Sequence, residues 1–143
     1  MKIADVNLLI YAVDATSPRH AAAKTWLEAR LSGVETFGLP LAVLLAFVRL
    51  STHGRVFSAP LTPAESFDIV NGWLAQSCAT MVAPGNRHLQ LVRELLEPFG
   101  SAGNLVPDAH LAALAIEHGA ELCSADNDFA RFHRLRWSNP LGI

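Results

Sequence analysis

Apolar residues recur along this chain in two patterns. Short apolar runs at 2–4, 35–39, 78–82, 121–125 and 135–137 predict β-strands. Between them lie stretches whose apolar positions fall three and four apart, the spacing of one helix face. The first, from Asn7 to Ala12, follows the first strand directly. Ser17-Pro18 opens a second helix with Ala22, Trp26 and Leu27 on one face, and Pro40 starts a strongly apolar third that runs through Leu50 and is closed by Gly54. Thr62-Pro63 opens a fourth with Phe67, Val70, Trp73 and Leu74 on its apolar side, and 87–99 is a fifth. Short strands alternating with helices predict an α/β fold with a mostly parallel central sheet flanked by helices.

The stretch 104–129 carries the densest information. Pro107 fits the first turn of a helix, Leu111, Leu114, Ala115 and Ile116 give it an apolar body, and Gly119 ends it where a left-handed residue is needed. Asp108 is thereby placed at a helix N-terminus. The strand 121–125 follows, and Asp126 and Asp128 come directly after it. Asp5 holds the same position after the first strand, where it also reads as an N-cap of the next helix. In a parallel sheet with right-handed crossovers the strand carboxyl ends share one edge, which is where ligands bind. Asp5 and Asp126 are expected to meet there, with Asp108 and Asp128 alongside.

Composition narrows the class. The chain has 143 residues, 51% of them hydrophobic and 17% charged, which fits one compact domain spanning 1–143. A net charge of -2 gives no bulk attraction to nucleic acid, yet nine of the eleven basic residues are Arg. A phosphate-binding surface would therefore be local, and Arg49, His53 and Arg55 are the candidate RNA contacts, against the alternative of a solvated helix terminus. Asp5 comes too early for an apolar signal region, and the longest apolar stretch is interrupted by Gly38 and Pro40, so neither secretion nor a membrane span is expected. Cys78 and Cys123 lack metal-ligand spacing and read as buried free thiols of a cytoplasmic protein.

Clustered carboxylates need a compensating cation or raised pKa values. Two like charges about 4 Å apart at an effective dielectric near 20 repel by roughly 4 kcal/mol. Oxygen ligands suit Mg²⁺ or Mn²⁺, which hydrolyse phosphodiesters by activating water and stabilising the leaving oxygen. No HExxH or Cys-containing ligand set occurs, and His110 and His118 are eight apart, out of phase on a helix. The glycine motifs of P-loop and dinucleotide folds are absent, and a haloacid-dehalogenase-like phosphatase would need Asp where Asn7 stands.

Asp5-Val6-Asn7-Leu8-Leu9, Val48-Arg49-Leu50-Ser51-Thr52-His53, Asp108-Ala109-His110-Leu111-Ala112-Ala113-Leu114-Ala115 and Ser124-Ala125-Asp126-Asn127-Asp128-Phe129, in that order, resemble a PIN domain, and more narrowly a VapC-type toxin of a toxin-antitoxin pair. The resemblance implies a three-layer fold and a Mg²⁺- or Mn²⁺-dependent endoribonuclease held inactive by an antitoxin protein. It implies Asp5 and Asp108 as metal-binding acids and Asp126 and Asp128 as the C-terminal acidic site. Self-association, as a homodimer, is expected from the same likeness and from the apolar content. One position departs from the pattern: many PIN nucleases carry Glu where this chain has Ala46. The alternative reading is therefore a non-catalytic or weakly active PIN fold that binds RNA or a protein.

Overall fold

The computed structural model describes residues 1–142. Five strands form one parallel sheet in the order β3-β2-β1-β4-β5: β1 (Lys2–Ala4), β2 (Phe37–Pro40), β3 (Ala79–Val82), β4 (Glu121–Cys123) and β5 (Trp137–Ser138). Six α-helices flank it: α1 (Val6–Val13), α2 (His20–Leu31), α3 (Leu41–Ser51), α4 (Pro63–Leu74), α5 (His88–Leu96) and α6 (Leu105–Glu117). Helix α1 packs on α2 and α3, α3 packs on α4, and α5 packs on α6. The α/β architecture with a parallel sheet is the one the apolar patterning predicts.

β1 lies in the centre, paired with β2 on one side and β4 on the other. Its Ile3 and Ala4 are fully buried, as are Phe37 and Leu39 of β2, Leu122 of β4, Leu8 and Leu9 of α1, Phe47 of α3 and the alanine-rich face of α6. Small side chains at Ala109, Ala112, Ala113 and Ala115 let α6 lie close against its neighbours. Helix ends follow from local chemistry. Thr62 and Glu65 form a reciprocal capping box at α4, and Gly119, at φ +60°, lets the chain leave α6 and enter β4.

Several boundaries differ from the sequence expectation, each for a local reason. β4 stops at Cys123: the Ser124 amide still bonds the Ser138 carbonyl, but the Ala125 amide goes to Oδ1 of Asn7 instead of continuing the ladder. β2 starts at Phe37, since Glu35 is turned outward to pair with the amino terminus and Arg30. Pro40 is the last residue of that strand and the N-cap of α3, with the extended backbone such a position takes. Helix α2 begins at His20, after Ser17 Oγ has accepted the Arg19 amide, and its buried alanine is Ala23 rather than Ala22. Helix α3 is capped at Thr52, before Gly54. On α4, Val70 and Trp73 are buried and Phe67 is exposed.

Gly38 of β2 sits close against side chains of β1 and β3. A Cβ there would lie 2.9 Å from Cγ1 of Ile3 and 3.1 Å from Cγ1 of Val82. Both neighbours are β-branched and packed, so they have little room to yield. Gly38→Ala is expected to destabilise the fold by about 1–3 kcal/mol, the usual cost of overpacking. Urea unfolding measures this directly, and an unchanged midpoint would show that the sheet absorbs the methyl group.

Candidate active site at the carboxyl edge of the sheet

Asp5 follows β1 at this edge and is only 9% exposed. It caps α1, with Oδ1 accepting the Val6 amide at 2.7 Å. Its Oδ2 accepts the hydroxyl of Ser124 at 2.7 Å and Nδ2 of Asn7 at 3.3 Å. Asp5 is thus the N-cap of α1 through Oδ1, while Ser124 and Asn7 hold its Oδ2. Burial pushes this carboxyl above its ordinary range, the bonds from Ser124 and Val6 oppose the shift, and nearby Asp126 adds to it.

Ser124 is fully buried beneath the site. Its hydroxyl donates to Asp5 and accepts from Nδ2 of Asn7 at 3.1 Å and from the Asp126 amide at 3.0 Å. Asn7 Oδ1 in turn accepts the Ala125 amide at 3.2 Å. These bonds hold the segment after β4 against the start of α1. Asp126 then caps a short 3₁₀ helix, Asn127–Arg131, through Oδ1 and the Asp128 amide at 2.9 Å.

Asp108 stands in the first turn of α6. Its carboxyl is pushed up to about 6, first by desolvation and then by the negative charges of Asp126, Asp5 and Asp128, with Arg131 opposing. With Asp5 it lines a cleft of about 240 Å³ that also includes Ala46 and His110. On its other side, Asp108 shares an open groove with Asp128 and Arg131. Four carboxylates therefore gather around one edge and raise the cost of ionising Asp108. Among the described residues no three ligands stand close enough to enclose an ion by themselves. A hard divalent cation that keeps most of its waters and takes one or two carboxylates fits this donor set.

Residues 2–135 match the family model of the PIN domain. The chain belongs to the PIN domain family. It is 45% identical over 140 residues to ribonuclease VapC37 of Mycobacterium tuberculosis (strain ATCC 25618 / H37Rv), covering 98% of this chain and 97% of that relative. Ribonuclease VapC33 of the same strain is 41% identical over 141 residues, 99% of each chain. Among solved structures, VapBC2 from Rickettsia felis, bound to a promoter DNA fragment, has a chain that superposes with TM-score 0.69 at 19% identity, covering 96% of this chain and 97% of its own. VapBC-1 from nontypeable Haemophilus influenzae gives TM-score 0.68 at 15% identity, covering 97% of both chains. At such identities the likeness is one of fold.

Within this PIN domain, Arg49, His53 and Arg55 do not join the carboxylates. All three are exposed at the C-terminal end of α3 and the turn beyond, where His53 Nδ1 accepts the Arg55 amide, and none lines either depression around Asp108. The cation at the acidic groove is Arg131, whose Nη2 lies 3.6 Å from Oδ1 of Asp128. Its spacing of three from Asp128 was the available signal. Ser124 could also have been found, as a polar residue at the end of an apolar strand. Ala46 lines the cleft, so position 46 does face Asp5 and Asp108.

Because the folded-state pKa of Asp108 lies above its ordinary value of 3.8, ionising it opposes folding. That penalty is absent below about pH 4, grows as pH rises through 6, and is complete above it. Without metal, Asp108→Asn should therefore be more stable than the parent near pH 7.5, by about 1 kcal/mol once solvent screening is discounted, and the gain should vanish near pH 4. Urea midpoints of chelator-treated proteins at both pH values check this. An equal difference at the two would rule out charge relief as its cause.

Proposed function

We propose that this chain is a metal-dependent endoribonuclease, the toxin of a type II toxin-antitoxin pair. The observation that carries the reading is the convergence of Asp5, Asp108, Asp126 and Asp128 at one sheet edge of a PIN fold, where Asp108 is held unfavourably charged. The names of the relatives, VapC ribonucleases, and of the solved VapBC assemblies support the same reading. Asp5 and Asp108 would hold Mg²⁺ or Mn²⁺, with Asp126 and Asp128 adding negative charge beside them. When bound, such a cation activates water and stabilises the leaving oxygen of a phosphodiester.

The residues of the chain do the rest. Ser124 and Asn7 hold the Asp5 carboxylate in a single orientation, which removes reorganisation when substrate arrives. Arg131 is placed to meet a backbone phosphate at the mouth of the acidic groove, offsetting repulsion between RNA and the carboxylates. Water attack at the scissile phosphate leaves a 5′-phosphate and a 3′-hydroxyl.

An antitoxin protein is the partner this reading requires, and a homodimer is the form we infer. The exposed apolar residues that support such association are Leu41, Leu45 and Met81, which line one groove beside the cleft, whereas α4 leaves only Phe67 of its apolar face strongly exposed. Among the described residues no helix is long and apolar enough to cross a membrane, and we read the protein as cytoplasmic. A second reading, a weakly active or non-catalytic PIN fold, is favoured by Ala46 alone, since the cleft lacks a carboxylate at that position.

Antitoxin-free protein should cut RNA only with Mg²⁺ or Mn²⁺ present, lose this in EDTA, and lose it by at least about a hundredfold in Asp108→Asn. End-labelled fragments should carry 5′-phosphates. Cyclic phosphate ends, or cleavage surviving EDTA, would defeat the mechanism, and intact RNA under all conditions would favour the binding-only reading.

Position 46 offers a separate test. Ala46→Glu should place a further carboxylate in the cleft at little cost in helix propensity. Mn²⁺ binding is expected to tighten on the order of tenfold, about 1.4 kcal/mol, while the metal-free protein melts lower because negative charge accumulates. Calorimetric titration and thermal melts read both. Unchanged affinity in a folded variant would mean that the added carboxylate does not reach the cation.

A further inference from the structure

Besides the two carboxylates, His110 is the polar side chain lining the cleft, and it is braced from behind. Its Nδ1 lies 2.8 Å from Nε2 of His88, and Nδ1 of His88 is hydrogen-bonded to Oε1 of Glu117. The other oxygen of Glu117 accepts the Gly85 amide at 2.7 Å. The side chains of His88 and Glu117 are only 9% and 12% exposed. Taking an imidazole and a carboxylate out of water is a poor way to gain stability. What the arrangement does achieve is to fix one ring at the cleft.

The order of donors follows from chemistry. A carboxylate only accepts, so Nδ1 of His88 carries a proton; with both rings neutral, Nε2 of His88 is a lone pair and must receive the proton on Nδ1 of His110. Nε2 of His110 is then a bare lone pair, and no group among the described residues bonds to it. A lone pair repels phosphate oxygens and calls for a donor. Next to the 3′ oxygen of a scissile RNA bond, the ribose 2′-hydroxyl is such a donor.

We propose that the Glu117–His88–His110 chain fixes His110 as a hydrogen-bond acceptor for the 2′-hydroxyl of the ribose at the cleaved position, making it the residue by which this site tells RNA from DNA. The inference rests on the ribonuclease reading and deepens it. His110 contacts the substrate, while His88 and Glu117 are positioning residues. Recognition of the 2′-hydroxyl is a general way for a protein to separate the two nucleic acids.

Glu117→Gln tests it with almost no change of shape. The Gly85 amide favours the Gln oxygen, which turns the Gln NH₂ to Nδ1 of His88, reverses every bond in the chain and leaves Nε2 of His110 as a donor. Imidazole ¹⁵N spectra of the metal-free proteins at pH 8 should show His110 Nε2 bare in the parent and protonated in the variant. In kcat/KM, the parent's preference for an all-ribose oligonucleotide over one with a single 2′-deoxy sugar at the cleaved position should fall about tenfold in Glu117→Gln and in His110→Ala. Thermal melts confirm that both variants are folded. Parent protein that cuts RNA while either folded variant keeps the full ribose preference overturns this inference alone, as does a protonated Nε2 in the parent. Failure of the parent to cut RNA overturns the ribonuclease reading and this inference with it.

Discussion

The hydroxyl of Ser124 has one proton to give and two lone pairs to offer, and the structure uses all three: it donates to Asp5 and accepts from Asn7 and from the Asp126 amide. Those bonds connect the end of β1, the first turn of α1 and the segment leaving β4. They are made in a fully buried position, where an unpaired polar group would cost most. Together with the bond from the Ala125 amide to Asn7 and that from the Asp5 amide to the Cys123 carbonyl, they set the placement of Asp5 relative to Asp126.

With the carboxylates held in place, their charges cannot separate to relieve one another. Asp108 registers the consequence, its carboxyl pushed up toward neutrality by burial and by three acidic neighbours with Arg131 as the opposing charge. A folded chain that keeps such repulsion gives up stability at this edge. The scaffold offsets it elsewhere: a central strand paired on both sides, a tight Gly38 crossing, and an alanine face that lets α6 pack closely.

Helix α6 also takes part in a second polar network of a different kind. The acidic cluster is repulsive and open, whereas Glu117, His88 and His110 attract one another and are largely enclosed. Both begin on α6, with Asp108 in its first turn and Glu117 at its last residue. That helix thus holds a carboxylate at the cleft with one end, and anchors the brace behind the cleft with the other.

The sequence by itself determined the element order, the parallel sheet, the N-terminal position of Asp108 on its helix and the placement of Asp5 and Asp126 after strands, because period and capping chemistry are local. It also carried the motifs by which the family is recognisable. Local signals could not say that Asn7 and Ser124, 117 residues apart, would share a hydrogen bond, or that His110 would find its partner on α5 instead of in His118. Nor could they tell that Arg49, His53 and Arg55 would line neither depression around Asp108, while the fold delivers Arg131 to the acidic groove. Those outcomes depend on which strand ends and helix faces the sheet brings together, and hence on burial and long-range packing that no short window contains.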